Sequence, residues 1–252
     1  MNGLQMKAKT AQELANMDLA NHIQNAHIPN KKKAAIITGI GLFLAVMPWI
    51  IASVITLEPG SEALEIVTWV SVGVMAIGLY FAGVGLVAPL LAKKQRKALL
   101  KDLERIEKHH GGLEKAVDEI KAQLAQGGSP AYTINSGQHI AKDWFFGVGR
   151  RVPTRIINLS DVICIIGIMG AGTFIILADG EEISVMFSPK HWGESFDLFC
   201  AANPYILHND DEVTMTNGKA TNAETAYRKK DFAAITQAYS RKKNSLEAEN
   251  NL

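Results

Sequence analysis

The chain has 252 residues, a formal net charge of +1 and 48% hydrophobic residues. The near balance of charge argues against a globally basic nucleic-acid-binding protein, so we expect no nucleic-acid partner. The charges are unevenly spread, because residues 34–92 contain only three, all of them acidic and close together.

Two long apolar segments lie in the first half of the chain. Residues 34–57 and residues 66–92 contain no charged side chain. A helix of about 20 apolar residues is long enough to cross the hydrocarbon core of a bilayer. The sequence therefore predicts a transmembrane helical hairpin over residues 34–92, preceded by a cytosolic N-terminal arm over residues 1–33.

The flanking charges predict the orientation of this hairpin. Lysines precede the first span, a basic segment over residues 93–97 follows the second, and an acidic turn over residues 58–65 joins the two spans. Positively charged flanks stay on the cytoplasmic side of a membrane. We therefore expect a two-span protein of the inner cell membrane with both termini in the cytoplasm.

Small residues follow a helical spacing in the second span. Gly78, Ala82 and Gly85 lie at positions i, i+4 and i+7, so they share one face on which another helix can pack closely. The first span is the favoured partner, through small residues such as Gly39 and Gly41. A second copy of the chain is the alternative partner.

Residues 93–126 are predicted to form a cytosolic helical linker. A heptad-like apolar seam would allow one continuous helix, whereas Gly111 and Gly112 would interrupt it. We favour two helices, over residues 93–110 and 113–126, and treat the two glycines as hinge candidates. His109 and His110 point about 100° apart on a helix, which does not favour a metal site.

The composition becomes rich in β-formers after residue 127. The segment "TFIILADGEEISVMF" predicts a hairpin with a type I′ turn at Asp179 and Gly180. A helix is then expected from Ser188 and Pro189 onward, with Trp192, Phe196 and Phe199 packed on the sheet and an end at Asn203. The polar residues 209–252 are interpreted as a mobile tail, with a partner-docking helix as the alternative.

The phrases "DWFFGVG", "RIINLSDVICI", "TFIILADGEEISVMF" and "SPKHWGESFDLFCAANPYIL", in this order, resemble a class of uncharacterised bacterial membrane proteins. Those proteins carry two N-terminal spans and a cytosolic pleckstrin-homology-like (PH-like) domain. The resemblance implies an α+β domain over residues 127–208, in which an antiparallel sheet or partial barrel is closed by a C-terminal helix. Such a fold does not specify a function.

One basic loop is a candidate binding surface. Lys142, Arg150, Arg151 and Arg155 lie in or beside "GVGRRVPTR", and basic loops of PH-like domains can contact lipid head groups or acidic partners. The alternative is a set of solvated or generally membrane-facing arginines.

The motifs of the chain do not indicate catalysis. The histidines and cysteines do not combine in a zinc-binding spacing, so we expect no enzyme activity, no metal and no cofactor. The favoured function is a membrane-anchored interaction or scaffold protein, with membrane lipids and an unidentified protein or a second copy as partners. The alternative is an oligomeric, lipid-responsive or channel-like protein assembled through Gly78, Ala82 and Gly85.

Overall fold

The structure, a computed structural model, describes residues 5–28, 30–54, 62–125, 131–135, 137–148, 153–169, 172–185 and 192–250. The chain divides into two compact units. Asn25–Ala98 form the first unit, and Met1–Gln24 together with Leu99–Leu252 form the second. The predicted N-terminal arm is therefore divided, and residues 5–24 belong to the unit that contains the sheets.

Among the described residues, five helices come first, seven strands follow, and three further helices and two short strands complete the order. The helices are α1 (Ala8–Asn16), α2 (Leu19–Asn25), α3 (Lys31–Val54), α4 (Glu62–His110), α5 (Leu113–Ala125), α6 (Trp192–Ala202), α7 (Ala223–Arg228) and α8 (Phe232–Asn250). The strands are β1 (Ala131–Asn135), β2 (Gln138–Ala141), β3 (Trp144–Gly147), β4 (Arg155–Asn158), β5 (Val162–Ile168), β6 (Gly172–Leu177), β7 (Glu182–Val185), β8 (Glu212–Thr214) and β9 (Ala220–Asn222).

Two helices are long and apolar enough to span a membrane. Lys31–Ile51 of α3 has a mean hydropathy of 2.2, and Leu64–His110 of α4 reaches 2.1 in its apolar part. Only 11% and 17% of these apolar stretches are buried, whereas the core helix of a soluble protein would be mostly buried. Length, composition and exposure together support membrane association.

The two apolar helices pack against each other through small residues. A Cβ atom added to Gly78 would lie 2.7 Å from the Gly41 carbonyl oxygen, and one added to Gly85 would lie 2.7 Å from the Thr38 amide nitrogen. Ala82 is buried in the same contact. The predicted face therefore contacts α3 at Gly41. Gly39 does not take part, because a Cβ atom added there would have nothing within 4 Å.

The linker contains the favoured break. α4 continues without interruption from the second apolar segment to His110, and α5 begins at Leu113. Gly111 and Gly112 have φ angles of +80° and +97°, a region that glycine adopts readily and other residues do not. The prediction of two helices separated at these glycines is confirmed.

Two antiparallel sheets enclose the first core of the domain. The strands follow the order β1-β2-β3-β4 in one sheet and β5-β6-β7 in the other, and the described strands do not close into a barrel. Phe145 of the first sheet, Ile165 of the second and Phe199 of α6 meet in this core, with Phe196 at its edge. α6 ends at Ala202, as predicted, while Ser188, Pro189 and the side chain of Trp192 lie outside the described residues.

The hairpin between β6 and β7 forms as predicted, but with a different turn. A type I′ turn needs a positive φ at both central residues, and of the predicted pair only Gly180 has one, at +80°. The Gly180 N–H donates to the Leu177 carbonyl, and the Leu177 N–H donates to the Glu181 carbonyl. This is the three-residue pattern in which a turn is followed by a left-handed glycine.

Residues 209–250 are folded, which differs from the predicted mobile tail. β8 and β9 pair with each other, and α7 and α8 cover the face of β5 and β6 that points away from the first core. The physical reason is that this face is itself apolar and needs a cover. Its buried cluster contains Ile163, Cys164, Ile166, Ile176, Leu207, Val213, Ala223, Ala226, Tyr227, Ala234, Ile235 and Ala238.

The N-terminal segment also packs on the sheet unit. The Met6 N–H donates to the Ala131 carbonyl oxygen at 2.8 Å, and Gln5 forms a β-bridge with Tyr132. Leu14 of α1 and Leu19 of α2 are buried, and α1 lies against α5. The residues before and after the hairpin therefore belong to one folded unit.

Candidate functional site

A buried ion network lies where the last turns of α4 meet the sheets. Asp102 and Arg105 are on α4, Arg155 begins β4, and Asp179 and Glu181 belong to the turn between β6 and β7. Asp102 is fully buried, and the side chains of Arg105 and Arg155 are each only 11% exposed. Three separate segments of the chain thus contribute charges to one place.

The Asp102 carboxylate is the centre of this network. Arg155 donates to both of its oxygens, from Nε at 2.5 Å and from Nη2 at 2.8 Å. Arg105 Nη1 donates to the same carboxylate at 3.2 Å, and the Ile156 N–H approaches it at 3.4 Å. The two-pronged contact with Arg155 matches the planar fork of a guanidinium to a carboxylate, which is the strongest form of such a pair.

The turn between β6 and β7 supplies the remaining partners. Arg105 Nη2 donates to Asp179 Oδ2 at 2.6 Å and to Glu181 Oε2 at 3.1 Å. Arg155 Nη2 donates to Glu181 Oε1 at 3.0 Å. Glu181 therefore bridges the two arginines, and the network joins a helix, a strand and a turn that are far apart in sequence.

Burial and pairing act against each other on the proton affinities. Burial raises the pKa of Asp102 above its usual value, and Arg155 and Arg105 counteract that rise. Burial alone would lower the pKa of both arginines, but the surrounding carboxylates outweigh it, so the pKa of each is raised. Partial burial alone would raise the pKa of Asp179, but the hydrogen bonds from Arg105 and from the Glu181 N–H, together with nearby positive charge, outweigh it and lower the pKa. The guanidiniums thus remain charged and paired.

A second polar cluster lies at the very end of α4. His110 Nε2 lies 3.0 Å from Asp161 Oδ2, and its ring packs edge-on against Trp144 with centroids 5.5 Å apart. Trp144 Nε1 donates to Glu119 of α5 at 2.8 Å. His110 thus connects the end of α4 to the sheet beside the glycine break.

The two glycines after His110 are closely surrounded. The Gly112 N–H donates to the Ile106 carbonyl at 3.3 Å, which closes the end of α4. A Cβ atom at Gly111 would lie 3.1 Å from Lys115 Cδ, and one at Gly112 would lie 3.0 Å from Glu107 Oε2. The positive φ angles favour glycine at both positions, whereas the Lys115 and Glu107 side chains are flexible and can move aside.

A shallow cleft of about 440 Å³ borders the ion network. Its charged lining combines three cations with three anions, so it carries no net charge that would select an ionic ligand. These residues are Lys101, Arg105 and Lys108, and Glu104, Asp161 and Asp179.

Of the predicted basic surface, the structure describes Lys142 and Arg155, and these two side chains do not lie together. Arg155, which was expected to face lipid or a partner, instead forms ion pairs with Asp102 and Glu181. Lys142 is exposed in the turn between β2 and β3, beside Trp144, whereas Arg155 pairs with Gly147 at the opposite end of β3. Arg150 and Arg151 lie outside the described residues.

Sequence reasoning missed most of the ion network. Asp102 carried a usable signal, because it lies three residues after Leu99 and four before Ile106, on the same helical face. Both of these neighbours are buried. A carboxylate on an apolar face indicates a buried partner of opposite charge, but local sequence does not say that Arg155 supplies it.

The chain matches no family model, no curated protein and no solved structure in the comparisons with known proteins. Among the described residues, no group of three or more His, Cys, Asp or Glu side chains is arranged to hold a metal ion.

Proposed function

We propose that the protein is a membrane-anchored, non-enzymatic interaction or scaffold protein that presents a PH-like domain at the cytoplasmic face of the inner cell membrane. The observation that carries this proposal is α4. One continuous helix contains both an apolar segment long enough to span a bilayer and the residues Asp102 and Arg105 of the buried ion network. The anchor and the domain therefore share one helix.

The order of elements supports the PH-like part of the proposal. A four-stranded antiparallel sheet precedes a three-stranded antiparallel sheet, and α6 follows with Phe199 in the core between them. The resemblance implies the coarser order, in which antiparallel strands are followed by a closing helix. Residues 209–250 are an addition, whose helices α7 and α8 cover the outer face of the second sheet.

The packing of the N-terminal segment supports a topology with both termini on one side. Residues 5–24 pack with the residues that follow the hairpin, in a single unit. An even number of crossings is needed to bring both segments to the same side of a membrane. The lysines before α3 and the basic segment 93–97 favour the cytoplasmic side.

The ion network supports a holding role and not a chemical one. Its arginines donate to three carboxylates, and its central carboxylate accepts from both arginines. Charges that are satisfied by each other stabilise a particular packing of α4, β4 and the turn after β6. The exposed surface of the domain is then left for partners.

Cysteine accessibility in intact cells tests the anchor and its topology. In a Cys200→Ala background, the native Cys164 is buried, so single cysteines can be placed at exposed positions. Lys7→Cys and Lys219→Cys are expected to react with a membrane-impermeant maleimide only after permeabilisation. Glu62→Cys, at the start of α4, is expected to react in intact cells. Extraction of the protein by alkaline carbonate, or labelling of Lys7→Cys from outside, would overturn the proposal.

Site-specific photo-cross-linking in native membranes tests the interaction role. Met169, at the turn between β5 and β6, is a fully exposed apolar side chain of the sheet unit and is therefore accessible to a partner. A photoreactive residue there is expected to give a discrete adduct, whereas one at the exposed Lys219 is the matched control. Absence of a discrete adduct from Met169, or an equal adduct from Lys219, contradicts an interaction role for this turn.

The alternative function is an oligomer assembled through the small-residue face of α4. The contact of Gly78 and Gly85 with α3 favours an intramolecular use of that face. Gly78→Leu is then expected to destabilise the hairpin without changing the oligomeric state, while Gly73→Leu, which has space for a side chain, has little effect. Loss of an oligomer and of liposome permeability in Gly78→Leu alone would favour the alternative.

A further inference from the structure

Seven cationic side chains lie at one end of the hairpin unit. The pairing of Gly41 with Gly78, and of Thr38 with Gly85, shows that α3 and α4 run antiparallel. The beginning of α3 therefore lies beside the part of α4 that follows its apolar segment, and Arg96 Nη1 donates to the Ala26 carbonyl at 3.2 Å. The cations are Lys31, Lys32 and Lys33 on α3, and Lys93, Lys94, Arg96 and Lys97 on α4.

Among the described residues of this unit, no carboxylate lies beside these cations. Glu62 and Glu65 are in the first turn of α4, at the opposite end of the two helices. Glu58, the remaining acidic residue of Asn25–Ala98, lies outside the described residues. The lysines of the cluster are exposed. The cationic end thus carries a charge that the unit itself does not balance.

The position of three of these lysines opposes the stability of their own helix. Lys31, Lys32 and Lys33 occupy the first turn of α3, which contains no acidic residue. The N-terminus of a helix carries a partial positive charge, so cations there are unfavourable and anions favourable. An external anion beside this turn would relieve both the mutual repulsion of the lysines and their conflict with the helix dipole.

We infer that this cationic end binds the anionic phosphate head groups of phospholipids in the adjoining leaflet. The inference rests on the proposed membrane anchoring, because the apolar parts of α3 and α4 then place the cations at the level of the head groups. Lysine ammonium groups are compact charges suited to phosphate oxygens, and juxtamembrane cations are attracted to anionic leaflets. This inference assigns the lipid contact to the cationic end of the hairpin and not to the predicted loop at Arg155.

Spin-labelled lipids in reconstituted bilayers measure this preference directly. The full chain is incorporated into phosphatidylcholine bilayers that contain spin-labelled phosphatidylglycerol or spin-labelled phosphatidylcholine. Electron paramagnetic resonance then gives the fraction of each lipid held at the protein surface. Wild type is expected to prefer phosphatidylglycerol by about fivefold, the weight of one cation near an anionic surface, and to lose most of this preference in 1 M salt.

Two variants and two controls locate the effect. Lys31→Gln with Lys32→Gln and Lys33→Gln is expected to lower the preference, because only four of the seven cations remain. Lys93→Gln with Lys94→Gln and Lys97→Gln is expected to lower it likewise. Replacing the same lysines by arginine should retain the preference. Removing three exposed lysines elsewhere should also retain it; these are Lys7, Lys9 and Lys219.

The outcomes separate this inference from the proposal on which it rests. A protein that restricts no lipid of either kind is not anchored in the bilayer, and the proposed function fails. A protein that restricts both lipids equally at low salt is anchored, and only the present inference fails. Full retention of the preference in both glutamine variants would also overturn it.

Discussion

At the scale of single residues, replacing Asp102 by asparagine removes the charge that Arg105 and Arg155 share. Both guanidiniums stay buried with one carboxylate fewer, and breaking a buried pair in this way costs about 3–5 kcal/mol. We expect the free energy of unfolding to fall by about that amount in denaturant titrations of the full chain in neutral detergent. The exposed Asp118 on α5 offers the matched control, Asp118→Asn, which should change stability by less than about 0.5 kcal/mol.

A double-mutant cycle separates the pair from general damage at this position. The double variant Asp102→Asn with Arg155→Met should lose less free energy of unfolding than the sum of the losses in the two single variants. Strict additivity would mean that the two side chains are not energetically coupled.

His139 predicts a second single-residue effect, this time on pH. Burial lowers the pKa of His139 from its ordinary value of 6.5 to about 4. The folded state therefore holds a neutral ring that the unfolded state protonates more readily. The neutral His139 ring therefore contributes to the free energy of unfolding. This contribution is fully present above pH 6.5 and is lost as the pH falls towards 4, by about 3 kcal/mol in total.

Acid titration of two variants checks this prediction. His139→Gln should show a smaller loss of stability between pH 6.5 and 4 than wild type. His22→Gln, at an exposed position of α2, should retain the wild-type acid dependence. An unchanged pH profile in His139→Gln would contradict the assignment of the acid loss to this ring.

At the scale of elements, the end of α4 depends on Gly111 and Gly112. Alanine at both positions must adopt a left-handed conformation, which costs about 1–2 kcal/mol per residue. We expect the double variant to be less stable by about 2–4 kcal/mol in thermal unfolding. Gly193→Ala in α6 should instead be neutral or stabilising, because a Cβ atom added there would have nothing within 4 Å. A more stable double variant would indicate that α4 and α5 form one helix in solution.

Local sequence was sufficient for the elements whose signal is local. The two apolar spans, the hairpin of β6 and β7, the break at Gly111 and the end of α6 at Asn203 all depend on residues that are close in sequence. The type of turn at Gly180 was not predictable in the same way. Asp179 takes part in the ion network, and its pairing with Arg105 depends on a helix about 70 residues earlier.

At the scale of the whole molecule, the largest difference from the sequence prediction concerns residues 209–250. Their low hydrophobicity suggested a mobile tail, but the sequence of β5, the strand they cover, indicates that a cover is needed. "VICII", residues 162–166, is apolar at every position, so the strand needs cover on both faces. One face belongs to the first core and the other to the second, and only the first was assigned from sequence.

Truncation of the chain before Asn209 tests this cover. Removing α7 and α8 would expose Ile163, Ile166 and Ile176, each of which is buried in the full chain. We expect the truncated protein to unfold at lower temperature and to lose amide protection in β5 and β6 by hydrogen exchange.

A point variant gives the matched control for that truncation. Ile235→Ala leaves the chain complete but opens a cavity under α8, and should cost about 2–4 kcal/mol. Thr236→Ala, on a partly exposed position of the same helix, should cost less. Unaltered protection of β5 after truncation would show that residues 209–250 are dispensable for the fold.

The packing of residues 5–24 onto the sheet unit makes the hairpin an insertion within a folded unit. The covalent connection between α3 and α4 is then not the only link between the two ends of the chain. A protein supplied as two pieces, one ending after α3 and the other beginning at α4, would still have α1 packed on α5 and the Met6 amide bonded to Ala131. The gene could therefore be split at this point and the two products would reassemble by complementation.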